Sequence, residues 1–106
     1  MFPRQNRLSR EELSKVIKNG CIVHSSLFTL RILDLNENKL KSAFVISKKE
    51  LKLAVDRNKA KRLARMALRE ILTHIPPIQF VVFPKKLILT TDFREIVNEF
   101  RRSFKA

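Results

Sequence analysis

In residues 55–73 the chain reads VDRNKAKRLARMALREILT, and this stretch decides the fold. Its apolar residues recur at the i, i+3, i+4 and i+7 spacing of a helix with one apolar face: Ala60, Leu63, Ala64, Ala67, Leu68 and Ile71. Pro76 and Pro77 end the pattern, because proline lacks the N–H that a helix needs. We therefore predict a long helix over residues 55–73 that packs one side against a sheet.

The other side of this predicted helix is basic. At roughly 100° per residue, with Arg57 at zero, one arc up to about 140° holds Lys61, Arg65, Asn58, Arg69 and Arg62. No Asp or Glu lies between residues 57 and 69, so like charges meet at i, i+4 spacing, which destabilises a helix slightly. A merely solvated face normally mixes signs, so the arc favours a phosphate partner.

The charge of the whole chain favours the same partner. In 106 residues, 23 Lys and Arg stand against 10 Asp and Glu, a formal net charge of +13. Because such an excess repels itself in a compact state, we expect a polyanion, with nucleic acid ahead of an anionic membrane and of a solvated surface. The length fits one nucleic-acid-binding domain over residues 1–106, and no apolar run approaches the ~20 residues of a membrane span.

The flanking elements follow from the same kinds of pattern. Ser9 and Glu12 have capping-box spacing before a helix over 10–19, and Gly20 is placed to end it. Residues 27–33 alternate as a strand, and residues 40–47 are predicted to pair back on it as a hairpin around a polar turn at 34–39. Another short strand near 21–23, a buried strand at 80–83 and a helix from 91 or 92 complete an α-β-β-β-α-β-α order.

Residues that carry chemistry in enzymes are sparse. Cys21 is the single cysteine, which excludes an intrachain disulfide and fits a reducing cytosolic compartment; we expect it to be buried. His24 and His74 lack neighbours at metal-ligand spacing. The ten acids are scattered, so we predict no catalytic residue and no metal site in the chain, and rank a self-sufficient nuclease low.

An ordered motif narrows the partner. The strand end Ser47-Lys48-Lys49 is followed by Arg57-Asn58-Lys59-Ala60-Lys61-Arg62-Leu63-Ala64-Arg65, and Asn6-Arg7-Leu8 precedes the first helix. With these residues the chain resembles the bacterial ribonuclease P protein family over nearly its whole length. The resemblance implies an α+β sandwich resembling ribosomal protein S5 domain 2, with a left-handed βαβ crossover, against the usual right-handed rule.

The resemblance also implies a function. Such a chain binds a catalytic RNA and the 5′ leader of precursor tRNA, and assists removal of the leader, while the chemistry and Mg²⁺ belong to the RNA. It would act in the cytoplasm as a monomer in a 1:1 complex with ribonuclease P RNA, without DNA, membrane or a cofactor of its own. The alternative is a ribosomal or general RNA-binding protein without a role in cleavage.

Two sets of residues are implied. The residues implied to contact the catalytic RNA are Arg57, Asn58, Lys59, Lys61, Arg62 and Arg65. Arg69 is added to this set because it lies on the same helical arc. A cleft between the sheet and the first helix would hold the leader, with Leu13, Ile17, Arg31, Ser47, Lys48 and Lys49 as its candidate residues.

The chain departs from the family pattern in that cleft. Leu13 and Ile17 stand where many members have Phe, Arg31 stands where an aromatic is frequent, and a glycine common before the arginine motif is missing from residues 50–54. We expect apolar contact from Leu13 and Ile17, unless both are core residues, and guanidinium stacking or phosphate binding from Arg31.

Overall fold

The computed structural model describes residues 7–34 and 40–104. Its elements are α1 (Arg10–Asn19), β1 (Cys21–His24), β2 (Phe28–Leu33), β3 (Lys41–Phe44), α2 (Ala54–Glu70), β4 (Gln79–Pro84) and α3 (Phe93–Ser103). Short 3-10 helices at Leu72–His74 and Lys86–Thr90 flank β4. The predicted α+β class and element order are confirmed, and residues 35–39 of the predicted turn lie outside the described residues.

The ends of α1 have clear local causes. Ser9 Oγ accepts a hydrogen bond from the Glu12 N–H at 3.2 Å, and the Ser9 N–H donates to Glu12 Oε1 at 2.9 Å, which confirms the capping box. Gly20 follows the helix with a φ of −73°, so a left-handed turn is not what requires glycine there. A Cβ at Gly20 would lie 2.5 Å from the Val16 carbonyl oxygen. Glycine is needed because backbone approaches it closely.

The sheet has the strand order β1-β2-β4-β3, with β2 antiparallel to β1 and β4, and β3 parallel to β4. The predicted hairpin of residues 27–33 with residues 40–47 is therefore wrong. β4 takes the place between them because Phe80, Val81 and Val82 are fully buried, and a strand buried on both faces belongs inside a sheet. The parallel pair is joined through α2, as the crossover prediction requires, and the left hand of that crossover stays a prediction.

One face of the sheet is closed by α2 and α3. We call it the closed face; its strand side chains are Phe28 and Leu30 of β2 and Phe80 and Val82 of β4. The helices cover them with small and apolar residues: Ala60, Ala64, Ala67 and Leu68 of α2, and Ile96, Val97 and Phe100 of α3. The rings of Phe28 and Phe100 stack with centroids 4.0 Å apart. The prediction that most phenylalanines belong to the core is confirmed for these rings.

The opposite face, here the open face, carries the side chains of alternate strand residues such as Thr29, Arg31, Val81 and Phe83. Among the described elements only α1 lies over it, and Val16 is the α1 residue that is fully buried there, outside the main core cluster. Cys21, expected to be buried, is exposed on the edge strand β1.

Candidate RNA interface

The basic side of α2 adjoins the alanines that pack on the sheet and turns from them towards solvent. Four of the predicted contact residues are exposed: Asn58, Lys59, Arg62 and Arg69. Arg57, Lys61 and Arg65 are half-buried along the border with the closed face. Lys59, at roughly 200° on the helix, lies beyond the arc that the other six share. The structure thus brings six of the seven predicted residues onto one arc.

Arg57 has a structural task beside any RNA contact. Its Nη1 donates to the carbonyl oxygens of Leu51 at 2.9 Å and of Lys52 at 2.8 Å. These bonds fasten the segment before α2, in which the glycine of the family pattern is missing. A guanidinium has five N–H donors, so Arg57 keeps donors for a phosphate. Arg57 therefore helps to hold the backbone that leads into α2.

Arg65 is placed by an aromatic ring. Its guanidinium carbon lies 5.2 Å from the centroid of the Phe44 ring, within range of a cation–π interaction. Phe44 ends β3, so this contact fixes the position of Arg65 relative to the sheet. Arg57 and Arg65 are therefore preorganised, whereas Arg62, between them in sequence, extends into solvent.

The segment Ser47-Lys48-Lys49 forms a turn between β3 and α2. Ser47 Oγ accepts a hydrogen bond from the Glu50 N–H at 3.2 Å, and the Ser47 carbonyl accepts one from the Leu51 N–H at 3.2 Å. Glu50 Oε2 in turn accepts from the Lys86 N–H at 2.7 Å. Lys48 and Lys49 are left exposed on a turn that is fastened at both ends.

A shallow pocket of about 240 Å³ connects this turn with the open face. Its lining includes Thr29, Val45, Ser47, Phe83 and Lys85. The sequence pattern predicts a buried strand that includes Phe83 and assigns no function to this residue. Strand alternation was the available signal, because Phe83 shares a face with Val81 and opposes Thr29 in the register.

At the other end of the open face, Arg31 contacts α1. Its Nη1 donates to the Ile17 carbonyl oxygen at 2.7 Å, near the C-terminus of the helix, where a cation is favoured. Ile17 is 37% exposed and Leu13 is half-buried, so neither is a plain core residue. The structure brings Arg31 and Ile17 together, and Ser47 lies at the opposite end of the same face.

A polar cluster holds α1 on the sheet. Lys41 Nζ lies 2.7 Å from Glu12 Oε2, and Gln79 Nε2 donates to the same oxygen at 3.3 Å. The hydrogen bond from Lys41, helped by the Ser9 N–H, lowers the pKa of Glu12 from 4.5 to about 2. The carboxylate is therefore charged at neutral pH and ties α1 to β3 and β4.

Residues 7–34 and 40–104 hold neither a candidate metal site nor a candidate membrane span. Over these ranges, no three His, Cys, Asp or Glu side chains are grouped as metal ligands. Among the helices of the same ranges, none combines the length and the apolar character needed to cross a bilayer.

A small α+β fold that carries an acid-free basic arc on one helix, beside a partly covered sheet face, defines a nucleic-acid-binding protein. The family model described as Ribonuclease P matches residues 2–106. The chain therefore belongs to the ribonuclease P protein family, and with it come a function in tRNA processing and ribonuclease P RNA as a partner. The resemblance stated from the sequence is confirmed.

Individual relatives and solved structures support membership of this family. The ribonuclease P protein component of a Pseudanabaena species is 34% identical over 104 residues, which cover 95% of this chain and 90% of the relative. That of Bacillus velezensis is 31% identical over 104 residues, which cover 96% of this chain and 89% of the relative. The structure of the Thermotoga maritima RNase P protein matches with a TM-score of 0.81 at 25% identity, over 93% of this chain and 94% of that one. The Staphylococcus aureus RNase P protein has the same fold, with a TM-score of 0.78 at 22% identity and coverage of 94% and 93%.

Proposed function

We propose that this chain binds ribonuclease P RNA through the basic side of α2, and the 5′ leader of precursor tRNA along the open face. The RNA carries out the hydrolysis with Mg²⁺, and the protein contributes charge and position. One protein domain acts with one RNA, as a monomer in the cytoplasm, with no role for DNA, a membrane or a cofactor held by the protein alone.

The observation that carries the proposal is the placement of the Ser47-Lys48-Lys49 turn. It follows β3, lines the open-face pocket through Ser47, and leads into α2 through the segment that Arg57 fastens. One RNA on α2 and another in the cleft would meet at this turn. Lys48 and Lys49 would reduce the repulsion between their phosphates, a task that otherwise falls to Mg²⁺.

A reconstitution assay tests the function. We expect the protein alone to leave precursor tRNA intact, and to lower the Mg²⁺ concentration needed for cleavage when it is added to the cognate ribonuclease P RNA. Unchanged cleavage by that RNA at low Mg²⁺ would contradict the proposal. Cleavage by the protein alone would contradict the assignment of the chemistry to the RNA.

The assignment of α2 is tested with Arg62→Ala and Arg65→Ala, measured singly. Each should weaken binding of ribonuclease P RNA roughly tenfold, as expected for a charged hydrogen bond to phosphate, and lower the log-log salt slope by about 0.7 to 0.9 per contact. Arg102→Ala is the matched control, because Arg102 is exposed and paired with Glu99 at 3.2 Å on α3. A slope equal to that of the control would place the RNA elsewhere.

A further inference from the structure

A groove separates the outer surfaces of α2 and α3, on the side of the helices turned away from the sheet. It contains two adjoining cavities of about 460 and 240 Å³, which share Glu70 and Phe93. Met66 and Arg69 of α2 line the first cavity, and Arg94, Asn98 and Arg101 of α3 line the second. Arg69 belongs to the basic arc of α2, so the groove begins where that arc ends.

The α3 wall repeats the charge pattern of α2. With Arg94 at zero, Asn98 falls near 40° and Arg101 near −20°, so two cations and an amide share a narrow arc. The acids of α3, Glu95 and Glu99, fall near 100° and 140°, where Arg102 pairs with Glu99. Position 98 is where an acid would pair with Arg94 at i, i+4 spacing, and it holds an amide instead.

The arginines of the groove are available for a ligand. Within residues 7–34 and 40–104, Arg69, Arg94 and Arg101 make no hydrogen bond or ion pair, and all three are exposed. Arg94 and Arg101 are seven residues apart, about 10 Å along the helix on the same side. Three unpaired guanidinium groups around one groove match a chain of phosphates rather than a single anion.

We infer that the groove between α2 and α3 binds a strand of ribonuclease P RNA, and that Arg94 and Arg101 extend the RNA-binding surface of α2 onto α3. The inference rests on the proposed function, because it gives the same RNA a second contact. Arg69 belongs both to the basic arc of α2 and to the groove. One RNA backbone can therefore follow positively charged side chains from the arc into the groove.

The apolar residues Met66 and Phe93 and the acid Glu70 in the groove favour binding of RNA over binding of an acidic protein. Met66 is 46% exposed and Phe93 is half-buried, which offers apolar surface to an unstacked base. Glu70 is an acceptor that an RNA 2′-hydroxyl can satisfy as donor. Glu70 repels the carboxylates of an acidic peptide and the phosphates of RNA alike, but RNA also offers it 2′-hydroxyl donors.

The test compares Arg94→Gln and Arg101→Gln with Arg102→Gln in the full chain. All three residues are exposed arginines of one helix, and each substitution removes one charge, so net charge is matched. Binding to the cognate ribonuclease P RNA is measured over a salt series, with circular dichroism as a check on folding. We expect Arg94→Gln and Arg101→Gln each to lower the log-log slope by about 0.7 to 0.9, and Arg102→Gln to leave it unchanged.

The outcomes separate the two proposals. If the unmodified protein binds and assists the RNA while all three variants keep its slope, the groove inference is overturned and the proposed function stands. If Arg94→Gln and Arg101→Gln impair cleavage but keep the slope of the control, the groove binds something other than ribonuclease P RNA, such as precursor tRNA, and the inference also fails. If the unmodified protein neither binds nor assists the RNA, both proposals fall.

Discussion

The two faces of the sheet differ in how they are covered. On the closed face, Phe28 and Phe80 lie fully buried beneath two helices, with Phe100 stacked on Phe28. On the open face, one helix of ten residues covers part of the surface and is held largely by polar links, such as the Glu12–Lys41 pair. The same strands serve both faces, because successive side chains point to opposite sides.

The difference separates stability from recognition. Burial of large apolar side chains is the dominant stabilising contribution, and the closed face supplies most of it. The open face keeps Thr29, Arg31 and Phe83 partly exposed, as the proposed binding of the leader requires. α2 takes part in both, since its alanines close the core while its arginines face outward.

The largest effect is expected from a matched pair of phenylalanines, one on each side of the sheet. Phe100→Ala should lower the free energy of unfolding by about 3 to 5 kcal/mol, because it leaves a cavity in the closed face. Phe83→Ala should cost less than about 2 kcal/mol, because Phe83 is only half-buried, and should weaken leader-dependent cleavage. Urea unfolding measures both; equal losses of stability would remove the distinction between the faces.

Gly20→Ala should be the next most damaging change. The added Cβ would lie 2.5 Å from the Val16 carbonyl oxygen and 3.1 Å from that of Ile32, so α1 must shift from the open face. Overpacking of this kind costs about 1 to 3 kcal/mol. The control is Asn19→Ala, an exposed neighbour expected to stay within about 0.5 kcal/mol. Thermal unfolding that shows no difference between the two variants would contradict the close-approach argument.

Glu12→Gln should cost about 1 kcal/mol at neutral pH, because it removes the half-exposed ion pair with Lys41 while glutamine can keep the capping box. The pKa of Glu12 is lowered on folding, so its charge stabilises the protein above pH 4.5, and this contribution is lost as the pH falls towards 2. The stability difference between the two proteins should therefore shrink over that interval in urea titrations. A constant difference would show that the charge is not responsible.

The smallest change in stability is expected at Arg31, whose bond to the Ile17 carbonyl is exposed. Arg31→Met should cost about 0.5 kcal/mol. Because Nη1 is engaged at the edge of the guanidinium, its flat faces stay available to a base. We expect Arg31→Phe to retain the advantage of long-leader over short-leader precursor tRNA in reconstituted cleavage, and Arg31→Met to lose it. Equal losses in both variants would indicate phosphate binding instead.

The sequence by itself determined the elements whose causes are local. The capping box of Ser9 and Glu12, the spacing of Ala60, Ala64 and Leu68, and the acid-free arc of α2 depend on neighbours a few residues away, so they could be predicted together with the family. Within the site, the same local geometry placed Arg62 and Arg69 on one side of a helix.

Only the tertiary structure decided which strands pair and which side chains meet. The short polar turn in the sequence favoured a hairpin of β2 with β3. In the structure β4 lies between them, because its apolar side chains are buried on both faces of the sheet. The stabilisation from this burial depends on residues that are far apart in the chain. Phe83 facing the open side, Arg31 reaching the Ile17 carbonyl and Arg57 fastening Leu51 follow from that arrangement. Helical periodicity is local, whereas strand pairing and contacts between elements are set by packing of the whole domain.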